Sequence, residues 1–65
     1  MPYVKIEVTR EGVTRNQKRE LIKGVTDLLV KILGKNPKLV HVVIQEIDLD
    51  DWGFAGDQVS DLREK

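Results

Sequence analysis

Two β-rich stretches with room for a single helix between them restrict this chain to one basic arrangement. In "YVKIEV", residues 3–8, Val4, Ile6 and Val8 fall on one face and Tyr3, Lys5 and Glu7 on the other, the alternation of a strand covered on one side. The second stretch, "LVHVVIQEI" at 39–47, has polar interruptions only at His41, Gln45 and Glu46, as in a strand covered on both faces. Between them Leu21, Ile22, Val25, Leu28, Leu29, Ile32 and Leu33 recur at helical spacing and form one apolar stripe. Thr14 with Gln17 three residues on has the spacing of a capping box. Gly34 closes the helix, and Pro37 prevents its resumption. Strand, helix, strand connections are right-handed crossovers that make the two strands parallel. The expected fold class is α/β (α+β). It is a βαβ unit with two parallel strands, one long helix and a short C-terminal hairpin or tail, in a single domain over residues 1–65.

One helix covers one face of a two-stranded sheet, so Val43 and Ile47 on the other face have nothing in the chain to cover them. The sheet edges also need pairing. Val30, on the far side of the helix from the stripe, offers a second contact. Composition sharpens the point: at 65 residues and 40% hydrophobic content the chain lies where burial is marginal. With no cysteine and one histidine it has neither a disulfide nor a structural zinc site as a staple. Oligomerisation is what remains, and the sheet is expected to be completed by it.

Eleven basic and 11 acidic residues give zero formal net charge, which removes the general attraction that nucleic-acid binders use. No signal-like or membrane-spanning run is present, and a soluble cytoplasmic protein without a membrane or nucleic-acid partner is expected. The acidic run Asp48, Asp50 and Asp51 lacks the spacing and closing Glu of a calcium loop. No metal and no cofactor are expected.

Pro2 has two readings. Proline suits the first residue of a strand because it has no N–H to donate. As a chain terminus, it would instead be a secondary amine able to take up and release a proton. Pro2, "EGVTRNQK" entering the helix and "WGFAG" in the tail, in this order and spacing, resemble the 4-oxalocrotonate tautomerase family over nearly the whole chain. The resemblance implies that Met1 is removed, that Pro2 is a general base moving a proton between enol and keto forms of a small acid, and that subunits assemble as hexamers or related homo-oligomers. The chemistry suits the residue, since an acid–base catalyst works best with a pKa near the operating pH. An α-amino group titrates near 8, and burial or a nearby cation lowers it.

The carry-over is incomplete. The family's arginine after the loop glycine, which holds a substrate carboxylate, is replaced here by Val13. Arg10 and Arg15 flank that position, and Arg10, at the strand end, is the better substitute. A second family arginine aligns with His41, and the active-site aromatic aligns with Trp52. The candidate site is therefore Pro2 as catalyst with Arg10, His41 and Trp52 against the substrate. His41 and Trp52 can equally be a strand-face histidine and the cap of an apolar edge. Missing both arginine positions argues against a dicarboxylate substrate. It also keeps open a non-catalytic or hetero-oligomeric assembly subunit. A hydratase or dehalogenase ranks lower, because Phe54 and Ala55 stand where those relatives carry a water-activating carboxylate.

Overall fold

A computed structural model of the chain describes residues 2–63. Strand β1 (Tyr3–Thr9) leads to helix α1 (Arg15–Leu33) and on to β2 (His41–Ile47). A short hairpin of β3 (Gly53–Phe54) and β4 (Asp57–Gln58) follows, and then helix α2 (Val59–Arg63). The helix boundaries are set by the residues expected to set them. Thr14 is extended at φ −84° and ψ 162°. Its hydroxyl accepts the Gln17 N–H at 3.1 Å, while its own N–H donates to Gln17 Oε1 at 2.9 Å. At the other end Gly34 is left-handed at φ 66° and donates its N–H to the Val30 carbonyl. Asn36 then caps a 3-10 turn at Pro37–Leu39, its side chain accepting from the Lys38 N–H.

Strands β1 and β2 pair in parallel, from Tyr3 opposite His41 to Thr9 opposite Ile47. This register puts Val4, Ile6 and Val8 on one face with Val42, Ile44 and Glu46, all half-buried. That face carries α1, as the ion pair from Lys18 to Glu46 marks. Tyr3, Lys5, Glu7, His41, Val43 and Gln45 lie on the other face and are exposed. Val43 is uncovered as expected, 40% exposed. Ile47, whose carbonyl accepts the Arg10 N–H at 2.8 Å, is half-buried.

Two expectations about α1 change. Val30 is not opposite the buried side: it is half-buried together with Lys18, Val25, Thr26 and Leu29. The single stripe also divides, since Leu21, Ile22, Leu28, Ile32 and Leu33 remain exposed. At 3.6 residues per turn the apolar arc from Leu28 round to Val30 is roughly 200° wide. Two strands cover only part of it.

The C-terminal segment is more structured than a hairpin or tail. After a 3-10 turn at Leu49–Asp51, Ala55 and Gly56 close the hairpin at φ 55° and 87°, the paired left-handed conformations of a type I′ turn. The Val59 N–H then donates to the Trp52 carbonyl at 2.8 Å, which seats α2. Val59, 7% exposed, is the only buried hydrophobic among the described residues.

The radius of gyration of 15.1 Å exceeds the roughly 11 Å of a compact domain this long. The accessible surface of 5167 Å² similarly exceeds the roughly 4,200 Å² of a compact monomer of this mass. No described helix is long and apolar enough to cross a membrane. Because both bonds of the capping box depend on position 14, Thr14→Ala should cost about 0.5–2 kcal/mol, read as a lower urea midpoint at fixed protein concentration.

Candidate active site

Pro2 is half-buried at the head of β1, and its carbonyl accepts the His41 N–H at 3.0 Å. This bond extends the β1–β2 ladder by one step and fixes the proline beside the first residue of β2. Pro2 and His41 are thus neighbours within one chain. Met1 lies outside the described residues.

Arg10 and Trp52 are at the opposite end. Eight residue steps of extended chain separate Pro2 from Arg10, about 26 Å at ~3.3 Å per residue. The half-buried Trp52 ends the 3-10 turn after β2. It lines an open hollow of about 590 Å³ together with Val8, Thr9, Phe54, Val59, Leu62 and Arg63. The four candidate residues therefore form two pairs, not one site. Bringing Pro2 against Trp52 or Arg10 requires a second chain.

Arg10 is engaged within its own chain. Its Nε–H donates to Asp48 Oδ1 at 2.7 Å and Nη1 to Glu46 Oε2 at 3.1 Å. Lys18 Nζ lies 3.3 Å from the same Glu46 oxygen. The register explains the grouping: Arg10 follows β1, and Glu46 and Asp48 end and follow β2, on the side that α1 covers. The hydrogen bond to Asp48 and the charge of that carboxylate raise the Arg10 pKa further above its ordinary value.

Arg63, at the rim of the hollow, is also paired. Its Nε donates to Glu11 Oε1 at 2.6 Å and its Nη2 to Oε2 at 3.4 Å. Thr9 Oγ1 donates to Glu11 Oε2 as well. The bond from Arg63, then that from Thr9, holds the Glu11 carboxyl below its usual range. This pair ties α2 to the loop after β1. Neither Glu11–Arg63 nor the Glu46 and Asp48 grip on Arg10 was anticipated from the sequence. The available signal was Glu46, an acid in an otherwise apolar strand.

A βαβ unit with a glycine-bearing hairpin and a proline at the head of its first strand defines a small tautomerase-like fold, and the comparisons make that class specific. The family model described as tautomerase enzyme matches residues 2–62. A curated relative from Dickeya dadantii, named probable tautomerase K2, is 49% identical over 65 residues, covering 100% of this chain and 97% of the relative. The crystal structure of DmpI from Helicobacter pylori superposes with a TM-score of 0.90 at 42% identity, covering 98% of each chain. A heterohexamer 4-oxalocrotonate tautomerase from Chloroflexus aurantiacus J-10-fl gives a TM-score of 0.86 at 25% identity over 97% of this chain and 100% of that one. The chain belongs to the tautomerase family, with the α+β fold of the 4-oxalocrotonate tautomerase homologues.

A carboxylate with a depressed folded-state pKa contributes stability above its unfolded pKa and loses it as pH falls through the folded value. The Glu11–Arg63 tie should therefore hold at neutral pH and loosen on acidification below the ordinary Glu value of 4.5. Trp52, the only tryptophan, lies in the hollow that α2 borders, so its fluorescence should report the loosening. Glu11→Gln should remove that acid transition. An unchanged transition in the variant would assign it to another carboxylate.

Proposed function

We propose that the protein is a cytoplasmic keto–enol tautomerase in which Pro2, freed by removal of Met1, is the general base. The observation carrying this reading is the position of Pro2, fixed through its carbonyl by His41 at the head of β1 in a chain that matches the tautomerase model from residue 2. With Met1 attached, the Pro2 nitrogen is an amide whose lone pair is delocalised into the carbonyl. Once freed, it is a secondary amine. It accepts a proton from the enol oxygen of an α-keto acid or 2-hydroxy-dienoate and returns one to carbon, with no net change in protonation. The ring restricts the direction of the lone pair, and an apolar wall or a cation lowers the pKa toward neutrality.

The catalytic unit in this reading is a homo-oligomer, a hexamer of βαβ subunits, because Pro2 and the pair Arg10 and Trp52 lie too far apart to share a site within one chain. Trp52 of one subunit walls the pocket around Pro2 of another, and Arg10 holds the substrate carboxylate. The uncovered side of α1 and the open sheet face supply the contacts. A second reading is a subunit that is active only with a different partner chain. It is favoured by the internal pairing of Arg10 and Arg63 and by the heterohexameric relative.

The processed protein should convert phenylenolpyruvate or 2-hydroxymuconate from enol to keto, and both Pro2→Ala and a form retaining Met1 should lose that activity. Intact mass identifies which form is present. Equal activity in the Met1 form would leave Pro2 only its strand-start role. An inactive processed protein that gains activity on adding a second subunit type would favour the alternative. Light scattering at micromolar concentration should detect an oligomer and no folded 7.4 kDa species; a compact monomer with full secondary structure would contradict the assembly.

A further inference from the structure

The hollow beside Trp52 combines an apolar lining with arginines that already have counter-ions. Val8, Trp52, Phe54, Val59 and Leu62 supply apolar surface around about 590 Å³. Phe54, 68% exposed at the hairpin, adds a ring that no residue of its own chain covers. Of the five N–H groups of a guanidinium, Arg10 commits Nε–H to Asp48 and one of Nη1 to Glu46. With Lys18 on the same Glu46, the cluster holds two cations and two anions and is neutral overall. Arg63, across the hollow, is matched by Glu11.

We infer that this hollow selects enol acids with one carboxylate and an apolar or aryl arm, and that Asp48 and Glu46 impose the selection by neutralising Arg10. The inference rests on the tautomerase reading and deepens it. One substrate carboxylate can take the N–H groups that Arg10 has left. A second carboxylate on the far arm meets the apolar wall and the acids Asp48, Glu46 and Glu11, with no unmatched arginine bordering the hollow to receive it. Desolvating that second charge against Trp52 and Phe54 is unfavourable. An aryl arm gains by the same burial, and its ring can stack on the aromatic side chains. Asp48 is thus a positioning residue: it acts on the substrate through Arg10.

The test is the ratio of kcat/KM for phenylenolpyruvate, a monocarboxylate, to that for 2-hydroxymuconate, a dicarboxylate. It is measured in the wild type, Asp48→Asn, Glu46→Gln and Asp48→Glu. Removing one acid gives the cluster a net positive charge, so the ratio should fall roughly three- to tenfold in Asp48→Asn and Glu46→Gln. The change should be carried by KM for the dicarboxylate and should shrink in high salt. Asp48→Glu, which keeps the charge, should retain the wild-type ratio. A purely structural role for Asp48 would reduce both activities together and leave the ratio unchanged, which would overturn the inference. Adipate, a dicarboxylate with no enol to tautomerise, gives a readout independent of turnover. By calorimetry it should bind the Asp48→Asn oligomer more tightly than the wild type by the same factor. Equal binding, or none to either, would overturn the selection whether or not Pro2→Ala abolishes catalysis. Loss of the Pro2 reading alone would appear as unaltered Pro2→Ala turnover with the adipate difference intact.

Discussion

Helix α1 carries more apolar surface than a two-stranded sheet can cover, and most of the molecule follows from that mismatch. Strands lie about 4.8 Å apart, so the pair β1 and β2 is a narrow platform. Val25 and Leu29 are half-covered on it while Leu21, Leu28 and Ile32 stay in solvent. The result is a slab with principal extents of 45, 24 and 14 Å. Only one residue, Val59, is buried among those described. At about 25 cal/mol per Å², the exposed flank of α1 is a strong drive toward association. The exposed apolar groove of Val13, Leu21, Gly24, Val25 and Leu28 lies on that flank, where the lack of a side chain at Gly24 leaves room for close approach.

The geometry that divides the core also divides the site. A seven-residue β1 places its first residue beside His41 and its last beside Ile47. Chemistry at the proline end and recognition at the arginine and tryptophan end are therefore on opposite edges of the same strand. A longer chain could fold one edge back over the other. This one has only α2, which closes over the end near Trp52. Assembly and site formation consequently depend on the same uncovered surfaces, and a substitution on the exposed flank of α1 is expected to affect both.

The fold was legible because its signals are local. Thr14 and Gln17, three residues apart, set the start of α1, Gly34 set its end, and the alternation of Val4, Ile6 and Val8 identified the covered face of β1. What escaped was long-range. No periodicity announces that Arg63 meets Glu11 or that Arg10 meets Asp48, partners 52 and 38 residues apart in sequence. The zero net charge stated only that such pairing was possible. Val30 was misplaced for a related reason: a stripe drawn through the leucines fixes one flank of an arc, whereas the sheet chooses the centre. The candidate site was legible as a set of residues from family resemblance, but its distribution over two ends of the strand needed the register of β1 against β2.

The internal neutralisation of Arg10 also bears on how a proline amine could be tuned. A free guanidinium near an amine lowers its pKa by repelling the protonated form, and an apolar wall lowers it by withholding solvent from that form. Asp48 and Glu46 cancel much of the first effect, because an approaching amine meets a neutral cluster in place of an isolated cation. On the tautomerase reading, the second effect must then dominate, and the side chains that supply it are Trp52, Phe54 and Val59 from another subunit. The same apolar wall would both tune the base and favour the uncharged arm of the substrate. Selectivity and basicity are then set by one feature, and increasing the polarity of that wall shifts the two together.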